Sequence, residues 1–273
     1  MGRNVPVNMD GDRILVFVPM YNCARQIPRV LARFDDRAKS LVHGLLVVDN
    51  RSTDGGGEIA AAIVAGMTGI EARVVRNDEN YGLGGSHKVA FDHAMAQGYR
   101  YVVVLHGDDQ GGIDDLLPLL EQGVHHDVDA LLGARFHPDS RLQGYSALRT
   151  WGNRVLNRLF GMAIGARVRD LGSGLNLYST RILHNRFYGK FPDDLTFNYC
   201  MVLAHAAYRH RVRFFPITWR EEDQVSNVRL YSQTRKILRI LTGYVEDPSV
   251  FLAAEHRAVI RQGYSAQPVD RAR

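Results

Sequence analysis

Tyr101-Val102-Val103-Val104-Leu105-His106-Gly107-Asp108-Asp109-Gln110 joins a run of apolar, mostly β-branched residues to an abrupt polar cluster. The run reads as a buried strand that stops where the acid groups begin. Those acids therefore sit at the strand's carboxyl end, the edge at which the loops of an open α/β sheet form a ligand crevice. Adjacent carboxylates beside an amide oxygen suit a hard divalent cation, Mg2+ or Mn2+, that takes oxygen ligands and keeps positions free for phosphate. Two acids after a strand serve equally well as a polar turn or helix cap, and Asp114 and Asp115 do precede an apolar run. The rest of the chain has to decide between the two.

Working outward, residues 13–22 hold the strand Ile-Leu-Val-Phe-Val-Pro, and Ile27, Val30, Leu31 and Phe34 follow at helical spacing. Residues 44–48 form a second strand ending in Asp49, Asn50, Arg51, Ser52, Thr53, Asp54 and three glycines. An alanine-rich helix over 58–66 and a short third strand over 72–76 lead to Asn77-Asp78-Glu79-Asn80-Tyr81-Gly82-Leu83-Gly84-Gly85. A helix over 86–97 then returns the chain to the Tyr101 strand. Successive β-α units imply a parallel, right-handed, twisted sheet with helices on its faces.

The chain has 273 residues, 45% of them hydrophobic, enough for one large α/β domain with an appendage. A formal charge of +5 is compatible with a phosphate-bearing or membrane-surface partner and equally with a solvated basic surface. Cys23 and Cys200 have no paired spacing, so the cysteines suggest neither a disulfide framework nor a zinc site, and a reducing cytosol is the simpler home. The first residues lack an apolar signal core, and no uncharged run is long enough to cross a bilayer. The expected location is cytoplasmic, with the inner membrane face as a further option.

Taken singly, the polar groups at the strand ends are weak signals. Asp49 can accept hydrogen bonds from a nucleobase or ribose, and Tyr21 can stack on a base. The glycines at 82, 84 and 85 let backbone approach a ligand closely, and Lys88 could meet a phosphate. The glycine pattern is neither a dinucleotide fingerprint nor a Walker loop, and a tight turn explains it alone.

In order, however, Val18-Pro19-Met20-Tyr21-Asn22, Val48-Asp49-Asn50-Arg51-Ser52-Thr53-Asp54-Gly55, Asn80-Tyr81-Gly82-Leu83-Gly84 and His106-Gly107-Asp108-Asp109-Gln110 resemble the donor-site motifs of family 2 glycosyltransferases with the GT-A fold. The likeness, closest to the enzymes that load polyprenyl phosphates, continues through Gly133-Ala134-Arg135, Arg149-x-x-Gly152-Asn153, Asp170-Leu171-Gly172-Ser173-Gly174 and Phe214-Phe215-Pro216-Ile217. It covers about residues 13–245. The resemblance implies a nucleotide-sugar half over 13–135 and an acceptor half over 136–245, between a flexible N-terminus, 1–12, and a C-terminal helix with a disordered tail, 246–273. It places Pro19, Tyr21, Asn22, Asp49, Asn50, Asn80, Gly82, Lys88, Gly107, Asp108 and Arg135 around a nucleoside diphosphate sugar. Asp108 and Gln110, with His106 beside them, would hold the cation bridging the diphosphate and neutralise charge on the departing nucleotide.

The departures from the family pattern are specific. His106 replaces the first acid of the usual Asp-x-Asp, Cys23 stands where mannose synthases often carry glutamate, and Asn176 stands where they carry arginine. The tract Trp219-Arg220-Glu221-Glu222-Asp223-Gln224-Val225-Ser226-Asn227 replaces their arginine and lysine signature with acids and amides. On the acceptor side, Arg149, Asn153, Ser173 and Asn176 are the candidate contacts, with Arg154, Arg158, Arg167 and Arg169 as further basic groups. Residues 232–245 form a basic amphipathic helix that could lie on an anionic bilayer or pack on its own domain. Asp194 would be the general base for a hydroxyl acceptor, whereas a phosphate, already ionised, needs none.

The sequence thus predicts a metal-dependent, inverting glycosyltransferase moving sugar from a nucleoside diphosphate to a polyprenyl phosphate, with no nucleic-acid partner. Transfer to a soluble hydroxyl acceptor is the alternative within the fold. A non-catalytic nucleotide-sugar sensor is the alternative outside catalysis, and a nucleotidyltransferase is disfavoured by Pro19-Met20-Tyr21-Asn22-Cys23 after the first strand.

Overall fold

The computed structural model describes residues 12–221 and 230–269. In chain order the elements are β1 (Ile14–Met20), α1 (Ile27–Ala32), α2 (Asp36–Leu41), β2 (Gly44–Asp49), α3 (Gly56–Val64), β3 (Glu71–Asn77), α4 (Gly82–Ala96), β4 (Tyr101–Leu105), α5 (Leu117–Glu121) and β5 (Ala130–Ala134). They continue with β6 (Arg141–Gln143), α6 (Ala147–Ile164), β7 (Leu175–Ser179), α7 (Thr180–Leu183), α8 (Phe197–Ala207), β8 (Val212–Pro216), β9 (Thr218–Arg220), α9 (Leu230–Glu246), α10 (Pro248–Ala253) and β10 (Ala266–Pro268). Eight strands form one sheet in the order β10-β3-β2-β1-β4-β7-β5-β8, and β6 pairs with β9 in a separate ribbon.

The expected parallel sheet is present from β3 through β4, and β7 interrupts it by running antiparallel to both β4 and β5. Strand residues alternate between two apolar layers, as the two-residue side-chain period requires. Leu15, Phe17, Leu46, Val48, Val102 and Val104 pack beneath α4, α8 and α9, through Phe91, Phe197, Met201 and Tyr244 among others. Val16, Val18, Leu45, Val47, Val103 and Leu105 face α1, α3 and α5, through Val30, Leu31, Ala60 and Leu117. Burial on both faces explains why β1, β2 and β4 read as unbroken apolar runs.

Two expectations change here, and one open alternative is decided. The helix after β3 begins at Gly82 rather than Ser86, so the glycines lie in its first turn. Gly82 adopts φ +70°, and a Cβ on Gly84 would sit 2.3 Å from the Pro192 carbonyl oxygen. Their freedom lets the helix start pack against the backbone at 192–193, where Gly84 N donates to Asp193 O at 2.7 Å, and not against a ligand. The apolar stripe of α9 is spent on its own domain, since Ile237, Ile240, Leu241 and Tyr244 are buried. The tail is not structureless: β10 pairs antiparallel with β3, Gln267 opposite Arg76, and supplies the edge strand. Residues 1–11 and 222–227, whose reading mattered above, lie outside the described residues.

Candidate active site

Three parallel strands end side by side at one edge of the sheet. β2 closes on Asp49, opposite Met20 of β1, while the chain after β4 runs on through His106 to Gln110. Asn50 N donates to Met20 O at 2.9 Å and Gly107 N to Pro19 O at 3.0 Å, so both polar tails stay tied to β1. With only β1 between them, Asp49 and Asp108 lie at the same edge, about 10 Å apart by two strand spacings. A Cβ on Gly107 would come within 3.0 Å of Pro19 O, so a side chain there would lift the acid tail off the strand. β5 delivers Arg135 to this edge as well, because both β4 and β5 run antiparallel to β7. The turn before β7 closes the group, Gly174 O accepting from His106 N at 2.8 Å.

Asp108 and Asp109 divide into two roles. Asp109, at φ +58°, turns its carboxylate to Arg29 (2.7 Å) and Arg33 (3.0 Å) and braces the tail against α1. The Asp108 carboxyl is pushed up to about 6, first by loss of water around it and then by the neighbouring Asp109 charge, with the Gln110 backbone N–H opposing. His106 is pushed down to about 4 by burial and by the Arg135 charge, which leaves a neutral imidazole at physiological pH. Its buried Nε2 has no hydrogen-bond partner. The raised Asp108 carboxyl and an orphaned neutral imidazole nitrogen, with the Gln110 amide two residues beyond Asp108, form a donor set that fits a divalent cation.

Several candidates arrive at the edge already engaged, which corrects the expected direct contacts. Asp49 is fully buried: its oxygens accept from Arg76 Nε at 2.6 Å and Ser52 N at 2.8 Å, so it shapes the loop rather than meeting a base. Asn50 accepts from Asn77 and from Tyr81 N and donates to Asn80, whose oxygen also takes the Gly82 N–H. Asn22, at φ +53°, accepts from Thr53 N and ties the loop after β1 to that after β2. Tyr21 differs from these, with a ring about half exposed (49%) and accessible to a stacked base. Arg135 is held by Asp170 in a two-pronged pair at 2.8 and 2.7 Å, with Trp219 5.0 Å from its guanidinium. Ser173 and Asn176 are buried and hydrogen-bonded to each other, so they staple the turn before β7 and do not face an acceptor.

Lys88 is the clearest correction. It points into the molecule, where its Nζ donates to Asp193 Oδ1 and Phe191 O, both at 2.7 Å, and to Tyr264 OH at 3.2 Å. Burial lowers its pKa and the Asp193 carboxylate opposes that, so the ammonium is structural and out of reach of a phosphate. The adjacent Asp194 is half-exposed. Burial would raise its carboxyl, but hydrogen bonds from Thr196 and the Lys236 ammonium at 3.1 Å outweigh this and hold it below the usual range. It is therefore ionised at neutral pH and a weak base.

Beyond Arg135 opens a cleft of about 1110 Å³ along α6. Arg154, Arg158, Arg167 and Arg169 line it together with Trp151 and Met162. Arg149 pairs with Glu221 at 2.7 Å and Asn153 donates to the Tyr145 hydroxyl, so these two fasten α6 to the β6–β9 ribbon. Asp170 is a residue whose part was missed: it sits in the Asp170-Leu171-Gly172-Ser173-Gly174 motif, but only the fold shows that it fixes Arg135.

A sheet of this order, with an acid-bearing tail at the end of a central strand, has the GT-A fold of glycosyltransferases. The chain belongs to Glycosyl transferase family 2, whose family model matches residues 15–187. Among curated relatives it is 26% identical over 171 residues to the polyprenol monophosphomannose synthase of Mycolicibacterium smegmatis, covering 63% of each chain. It is 24% identical over 178 residues to the undecaprenyl-phosphate 4-deoxy-4-formamido-L-arabinose transferase of Shewanella sediminis, covering 64% of this chain and 51% of that one. The chain thus spans about half to just under two thirds of the length of these relatives. Among solved structures, the glucosyl-3-phosphoglycerate synthase of Mycobacterium tuberculosis with Mn2+, UDP-glucose and glycerol 3-phosphate superposes with a TM-score of 0.61 at 17% identity, over 86% of this chain and 80% of that one.

Proposed function

We propose that the chain transfers a glycosyl group from a nucleoside diphosphate sugar to a polyprenyl phosphate, with inversion and with a divalent cation, Mg2+ or Mn2+. The observation that carries this reading is the cleft along α6. Arginines within it suit a phosphate, and an apolar stripe suits the chain that follows the phosphate. Leu148, Trp151, Val155 and Met162 are all exposed, and on an α-helix they fall within about 60° of one another, with Arg158 and Arg154 next around the helix. Cation beside exposed apolar surface is the chemistry of an anionic amphiphile or its bilayer. Two relatives are named for polyprenol or undecaprenyl phosphate products or acceptors, which supports the same choice.

In this reading Tyr21 stacks on the base, over the loops that Asn22, Asp49, Asn50 and Asn80 hold in place. Asp108, His106 and Gln110 would hold the cation, whose contribution is to neutralise the diphosphate as it leaves. Arg135 belongs to both sites, since its charge acts on His106 and Asp108 while its side chain lines the cleft. Pinned by Asp170, it offers a fixed positive field where acceptor phosphate and donor diphosphate approach each other. An acceptor phosphate oxygen, already ionised, attacks the anomeric carbon from the face opposite the departing diphosphate, so no general base is required. Among the described residues no helix is long and apolar enough to cross a membrane. Contact with the bilayer would come through the exposed stripe of α6 rather than through α9.

The test supplies a radiolabelled nucleotide sugar with polyprenyl phosphate and separates the products between organic and aqueous phases. Label in the organic phase that depends on both cation and polyprenyl phosphate is the expected result. Label only in a water-soluble product would overturn the lipid acceptor and favour a hydroxyl acceptor, for which the ionised Asp194 is the available base.

A further inference from the structure

At the opposite, amino-terminal edge of the sheet lies a group of side chains that the transfer chemistry does not use. Asp12 precedes β1, and His125 and His126 lie in the 3-10 turn Val124–Asp127 that follows α5. Among the described residues they form a group of one carboxylate and two imidazoles whose ligand atoms all lie within 4.8 Å of one another. We propose that Asp12, His125 and His126 bind a zinc ion that clips the start of β1 to this turn.

Convergence on one point favours a metal over an ordinary ion pair. Nε2 of His125 lies 3.5 Å from Asp12 Oδ2, and Nε2 of His126 contacts that same oxygen. Ligand bonds of about 2.0–2.1 Å in tetrahedral geometry put ligand atoms about 3.4 Å apart, close to the His125–Asp12 separation, whereas the shorter His126–Asp12 contact has to open to admit the ion. His125 is a buried side chain, 3% exposed, and neither of its ring nitrogens completes a hydrogen bond. Its polar approaches, to Asp12 and to the Leu119 backbone, are loose, and a metal bond would satisfy the ring better. Tyr101 holds the ring edge-on at 4.9 Å and the His126 ring lies at 4.1 Å, so its direction is set by packing. Two imidazoles with one carboxylate select zinc over magnesium or calcium, and solvent access at the exposed His126 leaves the fourth position to water. Arg100 is the competing charge, 3.8 Å from Asp12 Oδ1, with a side chain 61% exposed.

The ion would join residues more than a hundred positions apart and bind only the folded chain, so its effect is on stability, by mass action. Calorimetric titration of the metal-free full chain with zinc chloride, paired with melting curves, tests this. One equivalent should bind at this site and raise the melting temperature. His126→Ala, at an exposed position, and Asp12→Asn should each weaken binding about tenfold or more, and cobalt should give the visible spectrum of a four-coordinate centre in the parent alone. His184→Ala, at another exposed histidine, and Asp108→Asn, at the proposed donor cation site, should leave zinc affinity unchanged. The proposal fails if the parent takes up no zinc, if His126→Ala binds as tightly as the parent, or if Asp108→Asn alone removes the site.

Discussion

The loops at the ends of β1 and β2 and the cleft along α6 are built on opposite principles. In the former, Asn22, Asp49, Asn50, Asn77 and Asn80 are tied to one another, to Arg76 and to backbone, and Tyr21 is left offering an open face. In the cleft, Arg154, Arg158 and Arg167 and the apolar Trp151, Val155 and Met162 stand exposed. The contrast suits two kinds of ligand. A nucleotide is rigid and rewards a surface fixed beforehand, whereas a long flexible amphiphile is held by charge at its head and by non-directional apolar contact along its chain.

The comparison can be broken most directly at Asp108. Asp108→Asn should lower the rate of sugar transfer by about 10³-fold, read from initial rates with labelled donor, while the melting temperature of the ligand-free protein stays level or rises. A smaller loss points the cation elsewhere. Asp193→Ala should behave in the reverse way, because it strands the buried Lys88 ammonium. A stability loss of about 3 kcal/mol in denaturant unfolding is expected, with nucleotide affinity largely kept at a permissive temperature. Paired Arg154→Gln and Arg158→Gln changes should raise KM for polyprenyl phosphate about tenfold and leave slow hydrolysis of the donor unaltered. If hydrolysis falls equally, the two regions are not separable. The smallest effect is that of pH. Because the Asp108 carboxyl is raised to about 6, protons compete with the cation as pH falls through that value. Cation affinity at pH 5.5 should be about fourfold weaker than at pH 7.5. By the same sign the ligand-free protein gains stability as Asp108 is protonated, since its ionised form is the disfavoured one in the fold.

Much of the donor edge was legible in the chain. The apolar runs of β1, β2 and β4 and the polar clusters at their ends placed Asp49 and Asp108 on one edge, and the ordered motifs pointed to the family that the chain belongs to. What the side chains do at that edge was less legible. Asp49 looked like a contact for a base and is instead sealed beneath Arg76, a residue of the neighbouring strand whose approach no local pattern announces. Arg135 and Asp170 each stood in a recognised motif, yet their pairing depends on β5 and the turn before β7 meeting across the sheet.

Sequence alone therefore determined the alternating strands and helices from β1 to β4, their parallel sense and the place of the acid tail, because strand and helix periodicities and turn residues act over a few positions. Tertiary structure alone decided which polar groups remain open to a ligand. Lys88 was claimed by Asp193 and Tyr264, at 105 and 176 positions' remove, the apolar stripe of α9 by its own core, and the tail by the free edge of β3. A buried charge or an unpaired strand edge takes whatever partner the fold brings within reach, and that partner is a property of the packed chain rather than of its neighbours in sequence.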